Sequence, residues 1–167
     1  LFDGVKAYDD ADHAFQPYVI RQVNDARVAV IGQAFPYTPI ANPKRFVPNW
    51  SFGIKEDSMQ QLINEIRAKE KPDLVVVLSH NGMDVDLKMA SRVTGIDVIF
   101  GGHTHDAIPT PSVVTNKSGK TLVTNAGSNG KFLAVMDFDI RNKKLHGYRY
   151  RLLPIFSNLL PADQAMQ

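Results

Sequence analysis

The sequence contains no cysteine, which excludes disulfide bonds, thiolate metal ligands and a cysteine nucleophile. Neither charge is in marked excess, because 19 lysine and arginine residues stand against 17 aspartate and glutamate residues, so charge gives no support to a nucleic-acid or membrane partner. No apolar run approaches the ~20 residues that cross a membrane. Neither a G-x-x-x-x-G-K-[ST] or G-x-G-x-x-G phosphate loop nor the G-x-S-x-G turn of serine hydrolases occurs, which argues against nucleotide-binding folds and nucleophile triads.

The composition is that of one globular domain. Of 167 residues, 44% are hydrophobic and 22% are charged, which is sufficient for a domain with a hydrophobic core. The chain starts at Leu1 instead of a methionine and stops in the polar stretch "PADQAMQ". We therefore expect it to be an internal piece of a longer protein.

Three apolar runs have the pattern of buried strands: "RVAVIG" (27–32), "DLVVVLS" (73–79) and "IDVIF" (96–100). Between the first two, apolar residues spaced three and four apart from Met59 to Ile66 predict a helix with Asp57 or Ser58 as its N-cap. Residues 83–93 predict a second, shorter helix. Alternating strands and helices with short connections are typical of a parallel α/β unit.

After residue 110 the pattern changes to hairpins. Four strands separated by turn residues predict an antiparallel meander, and they cover residues 112–116, 121–127, 132–140 and 145–155.

The segment 33–50 has four prolines in eighteen residues, which predicts a long ordered loop without a helix interior or a central strand. Its aromatic residues, Tyr37 among them, either pack the loop onto the domain or line the entrance to a site.

Histidines follow two of the predicted strands at the point where each strand ends. His80 comes directly after the strand 73–79, and His103 and His105 follow the strand 96–100 in "GGHTHD". Ligands of parallel sheets bind beyond the carboxyl ends of the strands, and residues two apart in an extended loop point the same way. The three imidazoles therefore predict a metal site, with ordinary loop histidines as the alternative. His13 and His146 are interpreted as surface residues.

Polar residues near these histidines are candidates for supporting roles. Asp106 follows the histidine pair and is the better candidate to accept a hydrogen bond from an imidazole N–H. Asp84 and Asp86 are interpreted as helix-capping or solvent-facing residues, with an imidazole contact as the alternative. Asn125 opens "NAGSNGK", which is either a hairpin bulge or a turn that presents backbone N–H groups to an anion.

The phrases "SHNG" and, some twenty residues on, "GGHTHD" resemble the last two metal-binding motifs of the calcineurin-like metallophosphoesterases, in the branch that includes 5′-nucleotidases. "AFPYTPIANP", "LSHNGMDVDLKMASRV" and "TLVTNAGSNGKFLAVMD" resemble the SoxB-type thiosulfohydrolases of bacterial sulfur oxidation. The resemblance runs through most of residues 15–163. It implies an α/β fold, a partial four-layer α/β/β/α metallophosphoesterase sandwich.

The resemblance also implies a function. His80 and His103 would hold one metal of a dinuclear centre and His105 the other, with Mn²⁺ as the expected metal and Zn²⁺ as an alternative. Such a centre makes a nucleophile from water and holds the anion being cleaved. The implied enzyme is periplasmic and releases sulfate from a cysteine S-sulfonate or S-thiosulfonate on the sulfur carrier SoxYZ. Asn81, Asp106, Asn125 and Tyr37 are the candidates to support a ligand or contact the substrate.

Three motifs of the family, D-x-H, G-D and G-N-H-E, do not occur in the chain. We expect them to precede Leu1, so that residues 1–160 form the C-terminal part of the catalytic domain and residues 161–167 begin a linker to a further domain. A chain with three neutral imidazoles and no bridging carboxylate is expected to bind metal weakly and to be inactive alone. The alternatives are a 5′-nucleotidase-like phosphoesterase and a folded module without catalytic activity.

Overall fold

The computed structural model describes residues 15–48, 50–158 and 161–166. Within them the helices are α1 (Thr38–Ala41), α2 (Glu56–Lys69) and α3 (Met83–Arg92), and Lys44–Phe46 form one 3₁₀ turn. The strands are β1 (Tyr18–Val23), β2 (Ala26–Gln33), β3 (Leu74–Ser79), β4 (Val98–Gly101), β5 (Ser112–Asn116), β6 (Gly119–Asn125), β7 (Phe132–Arg141) and β8 (Lys144–Pro154).

A six-stranded sheet with the order β1-β2-β3-β4-β6-β5 forms the centre of the fold. Strands β2, β3, β4 and β6 are parallel neighbours, and β1 and β5 pair antiparallel at the two edges. The central strands β3 and β4 are nearly continuous apolar runs, as is usual for parallel strands that are covered on both faces. The predicted α/β class is confirmed.

The helices α2 and α3 cover one face of this sheet. Met59, Ile63 and Ile66 of α2 and Met89 and Ala90 of α3 are buried in one cluster with the apolar side chains of β2, β3, β4 and β6. The predicted apolar stripe of α2 is thus the face that packs on the sheet. The predicted N-cap was wrong, because α2 begins at Glu56 and its N-cap is Lys55, two residues before Asp57, in the left-handed region with φ of 46°.

The hairpin β7–β8 packs on the opposite face. Its residues Met136, Phe138, Ile140 and Leu145 contact a buried cluster of β3, β4 and β6. The predicted meander is therefore divided, because β5–β6 extends the six-stranded sheet while β7–β8 forms a separate two-stranded sheet. This second cover is partial, and Leu78 near the carboxyl end of β3 remains 50% exposed.

The proline-rich segment between β2 and α2 contains two short helical turns where the sequence predicted none. Pro39 lies in the first turn of α1, a position that proline tolerates because the N–H there has no partner within the helix. No helix among the residues that the structure describes is long and apolar enough to span a membrane.

Two interpretations concern residues that the structure does not describe. His13 lies outside the described residues, as does residue 160, where the sequence predicts the domain to end. The domain assignment stays a prediction. His146 lies exposed on β8, as expected for a surface residue.

Candidate metal centre

The imidazoles of His80 and His103 lie together at the carboxyl ends of two neighbouring strands. Strands β3 and β4 are parallel and in register from Val76↔Val98 to Leu78↔Phe100, so the residues that follow them emerge at the same edge of the sheet. The centroids of the two rings are 5.2 Å apart and their planes are inclined by 58°. The structure thus brings together two of the three histidines that the sequence singled out.

His105 does not join this pair. The expectation of an extended His103–His105 loop was wrong, because both residues have left-handed backbone conformations, with φ of 73° and 60°. Positive φ costs free energy in residues other than glycine, and such strain is concentrated at functional sites. Within the described ranges no group of three or more His, Asp or Glu side chains is arranged to hold a metal ion.

Phe35, which follows β2, contacts both imidazoles. Its ring stacks on His103 with centroids 4.0 Å apart and an interplanar angle of 29°, and it meets His80 edge-on at 6.1 Å. Tyr37, the aromatic candidate from the sequence, reaches the pair only through Phe35, whose ring it meets edge-on at 5.7 Å. The sequence indicated an aromatic loop after β2 but gave no signal that distinguished Phe35 from its neighbours.

Asp106 is bound to a threonine. Its carboxylate accepts a hydrogen bond from the Thr104 hydroxyl, and that hydroxyl accepts one from the backbone N–H of Met83 at 3.0 Å. In the described part of the chain no hydrogen bond joins Asp106 to an imidazole. Thr104 therefore connects the loop of His103 and His105 to the start of α3, and Asp106 holds the Thr104 hydroxyl in place.

Asn81 and Asp86 form a buried polar group with Ser79, next to His80 in the chain. Asp86 has no exposed surface, and its Oδ1 accepts hydrogen bonds from Ser79 Oγ at 2.6 Å and from Asn81 Nδ2 at 3.1 Å. The interpretation of Asp86 as a helix-capping or solvent-facing residue was wrong, whereas Asp84 is exposed. Burial raises the pKa of the Asp86 carboxyl above its usual 3.8, and the hydrogen bonds from Ser79 and Asn81 offset part of that rise.

Asn125, at the end of β6, supports the loop of His103 from the other side. Its side-chain amide donates to the carbonyl of Gly102 at 3.4 Å, and its Oδ1 accepts the N–H of Gly127 at 3.3 Å. The side chain is buried, and these bonds hold the loop that carries His103. A contact of Asn125 with a ligand stays a prediction.

The spacing of the two imidazoles fits a shared divalent metal ion. A metal about 2.1 Å from one nitrogen of each ring lies about 3.2 Å from each ring centre, and ligands about 110° apart then separate the centres by about 5.2 Å. The observed separation is 5.2 Å. Asn81 Oδ1, next to His80 in the chain, is buried and has no hydrogen-bond partner. The two imidazoles could thus supply two ligands of one such ion.

Several known proteins are similar to this chain. The trifunctional nucleotide phosphoesterase YfkN of Bacillus subtilis is 32% identical over 133 residues, which are 78% of this chain and 9% of that protein. The solved sulfate thiohydrolase SoxB of Thermus thermophilus is 36% identical, with a TM-score of 0.81 over 90% of this chain and 27% of that one. A solved 5′-nucleotidase precursor, also of Thermus thermophilus, is 31% identical, with a TM-score of 0.75 over 90% and 32%.

The chain thus spans between about a tenth and a third of the length of these relatives. No family model matches the sequence. The fold of the two solved structures agrees with the fold described above. The chain belongs to the 5′-nucleotidase and calcineurin-like phosphoesterase superfamily.

Proposed function

We propose that the whole protein is a metal-dependent hydrolase and that His80, His103 and His105 supply part of its metal centre. The observation that carries this proposal is the pairing of His80 and His103 at 5.2 Å over the carboxyl edge of the parallel sheet. His80 and His103 would hold one ion between them. His105, which lies outside the pair on a left-handed backbone, would bind a second ion held mainly by other parts of the protein.

A divalent metal bound here would supply positive charge that lowers the pKa of water and neutralises a tetrahedral anion. The residues of this chain would hold and orient it. Asn125 binds the backbone before His103, Asp106 binds the hydroxyl of Thr104 between His103 and His105, and Phe35 restricts rotation of the His103 ring. Imidazole ligands alone suit Zn²⁺. We propose Mn²⁺ because of the resemblance to the SoxB-type enzymes, with Zn²⁺ as the alternative.

The specific reaction that we propose is sulfate release from an S-sulfonated cysteine on the carrier SoxYZ, in the periplasm. The oxygen of water forms a bond to the terminal sulfone sulfur, the S–S bond breaks, and sulfate leaves. The carrier sulfur keeps the electron pair of the broken bond and takes a proton. This reaction is supported by the likeness to the SoxB of Thermus thermophilus, at 36% identity over 90% of this chain, and by the matching phrases in the proline-rich loop.

A 5′-nucleotidase-like phosphoesterase is the second candidate. It is supported by the 32% identity to the nucleotide phosphoesterase YfkN and by the likeness to a 5′-nucleotidase precursor at a TM-score of 0.75. Both reactions release a tetrahedral oxyanion, sulfate or phosphate, from a larger molecule, so the same metal centre suits either. The two candidates differ in the group that leaves and in the surface that recognises it.

Product release from two substrates distinguishes the candidates. The whole protein, loaded with Mn²⁺, is given an S-sulfonated carrier in one assay and AMP in the other, and free sulfate and phosphate are measured. We compare the wild type with His103→Ala and with His146→Ala, which makes the same change at an exposed position on β8. We expect sulfate release that His103→Ala abolishes and His146→Ala leaves intact.

The other results have definite meanings. Phosphate release without sulfate release would replace the thiosulfohydrolase by the nucleotidase. Equal activity of His103→Ala and wild type would remove His103 from the metal centre and overturn the proposal for this site.

A further inference from the structure

The carboxyl group of Asp86 lies where the two histidine-bearing segments meet. One of its oxygens, Oδ1, accepts hydrogen bonds from Ser79, the residue before His80, and from Asn81, the residue after it. The backbone N–H of Asn81 donates in turn to Ser79 Oγ at 3.1 Å. The backbone on both sides of His80 is therefore tied to one oxygen atom of α3.

The other oxygen, Oδ2, lies against the segment that leads to His103. A Cβ atom at Gly101 would stand 2.7 Å from Asp86 Oδ2 and 3.2 Å from the carbonyl oxygen of Thr124, and the first distance is shorter than any ordinary contact. Only a residue without a side chain lets the carboxyl approach here. Gly101 ends β4 and is two residues before His103, so the same carboxyl touches both segments.

Stability alone does not explain this arrangement. Asp86 Oδ2 is buried and has no hydrogen-bond partner, and such an atom costs about 1–3 kcal/mol of desolvation. An apolar side chain would fill the position on α3 without that cost, because the neighbouring Met89 and Ala90 are already part of the hydrophobic core. An unpaired buried oxygen calls for a role of another kind.

We propose that Asp86 is a positioning residue that sets the separation of His80 and His103 and thereby the metal affinity of the pair. It touches neither the ion nor the substrate. It holds the strand ends from below, through Ser79 and Asn81 on one side and the close approach to Gly101 on the other. This inference rests on the proposed metal-binding function of His80 and His103.

The test measures metal affinity of the whole protein, stripped of metal and titrated with Mn²⁺ against a chelating dye. Residues that hold metal ligands in place typically contribute about 10–100-fold in affinity, so we expect Asp86→Ala to raise the Mn²⁺ dissociation constant about tenfold or more. Asp86→Asn fits the same space, and its amide oxygen accepts the same two bonds. It should keep the dissociation constant within about threefold of wild type, which is under 1 kcal/mol.

Two controls separate positioning from loss of stability. Met89→Ala makes a cavity in the same helix and leaves Asp86 with its partners Ser79 and Asn81 unchanged in sequence, and Asp84→Ala removes a carboxylate from the exposed side of α3. Thermal unfolding is measured on all variants without metal. The inference is overturned where Asp86→Ala weakens Mn²⁺ binding no more than Met89→Ala does.

A second pair of variants covers the case in which Asp86→Ala does not fold. Gly101→Ala pushes a methyl group against Asp86 Oδ2, whereas Gly32→Ala, in β2, meets no atom within 4 Å. We expect weaker Mn²⁺ binding only in Gly101→Ala, and equal binding in both overturns the inference. His103→Ala belongs in every series. If His103→Ala binds Mn²⁺ as tightly as wild type does, the proposed function fails. If His103→Ala weakens Mn²⁺ binding but Asp86→Ala and Gly101→Ala do not, only the inference about Asp86 is rejected.

Discussion

The ring of Phe35 stacks on the imidazole of His103 with their centroids 4.0 Å apart. Phe35 belongs to the segment after β2, and His103 follows β4, two strands away in the sheet. Because Phe35 also meets His80 edge-on, one aromatic side chain contacts both rings of the pair. A ring that packs on an imidazole leaves its in-plane nitrogens free to bind a metal while restricting its rotation.

Phe35→Ala is therefore expected to weaken metal binding by the whole protein. Aromatic pairs of this kind are worth about 0.5–1.5 kcal/mol, which corresponds to about a two- to tenfold rise in the Mn²⁺ dissociation constant. Phe46→Ala is the matched control, because Phe46 lies half exposed in the same segment under the guanidinium of Arg45. An effect of equal size in both variants would show that the loop, and not the stack, controls the affinity.

How far the sequence predicts this site depends on whether the signal is local. The pairing of His80 with His103 follows from two apolar runs that each end in histidine, because parallel neighbours end at the same edge of a sheet. The buried position of Asp86 could not be predicted, because an acidic residue in the first turn of a helix gives the same sequence pattern whether it faces solvent or a strand end. That position depends on Gly101, which lies on a different strand.

In the fold, too, the elements with a local sequence signal were predicted and the pairings between distant segments were not. Continuous β-branched runs identified β2, β3 and β4, and the apolar spacing identified α2. The two hairpins have the same alternating pattern, and nothing local tells that β6 pairs with β4 while β7 and β8 form their own sheet. The spacing of His103 and His105 predicts that their side chains point the same way only if the loop is extended. Both residues instead have left-handed φ values, which the sequence of the loop did not indicate.

Thr104 supplies a cap for α3 from outside the helix. Its hydroxyl accepts the N–H of Met83, the first residue of α3, while Gly82 at the N-cap position has no side chain to do so. Thr104→Val keeps the shape of the side chain and removes both this bond and the donor to Asp106. We expect a loss of about 1 kcal/mol in the free energy of unfolding of the whole protein.

Amide hydrogen exchange locates that effect. Faster exchange should appear at Met83 and in the first turn of α3 in Thr104→Val, and Thr104→Ser, which retains the hydroxyl, should stay close to wild type. If the two variants exchange at the same rate, the methyl group and not the hydroxyl is what matters at this position.

Substitution of Tyr37 tests whether the loop after β2 recognises the proposed carrier substrate. Its side chain is 48% exposed and lines a cavity of about 640 Å³ together with Lys55, Lys88 and Arg92. We expect Tyr37→Ala to raise KM for the S-sulfonated carrier severalfold while metal content and turnover of a small S-sulfonate, such as S-sulfocysteine, stay unchanged. Tyr37→Phe keeps the ring against Phe35, so its KM for the carrier should lie between the values for wild type and Tyr37→Ala. Unchanged kinetics with the carrier would rule out this role for the loop.

The ion pair of Arg67 and Asp97 joins α2 to the start of β4, at the end of the strands opposite the histidines. Asp97 Oδ2 accepts the Arg67 guanidinium at 2.6 Å and the backbone N–H of Val75 at 2.6 Å. Burial raises the pKa of the Asp97 carboxyl above its usual 3.8, and the charge of Arg67 and these hydrogen bonds offset only part of the rise. The native state therefore holds this proton to a higher pH than the unfolded chain does.

The expected pH dependence has a definite sign. The contribution of Asp97 protonation to stability is complete below pH 3.8 and is lost as the pH rises through the native pKa, because the native state binds more protons in that interval. Asp97→Asn cannot titrate, so the difference in free energy of unfolding, wild type minus variant, should be largest at the acid end and fall towards neutrality. Denaturant unfolding of wild type and Asp97→Asn, both as whole proteins with a metal chelator present, measures this difference from acid to neutral pH. A difference that grows with pH would mean that the ion pair with Arg67 outweighs burial and lowers the pKa of Asp97.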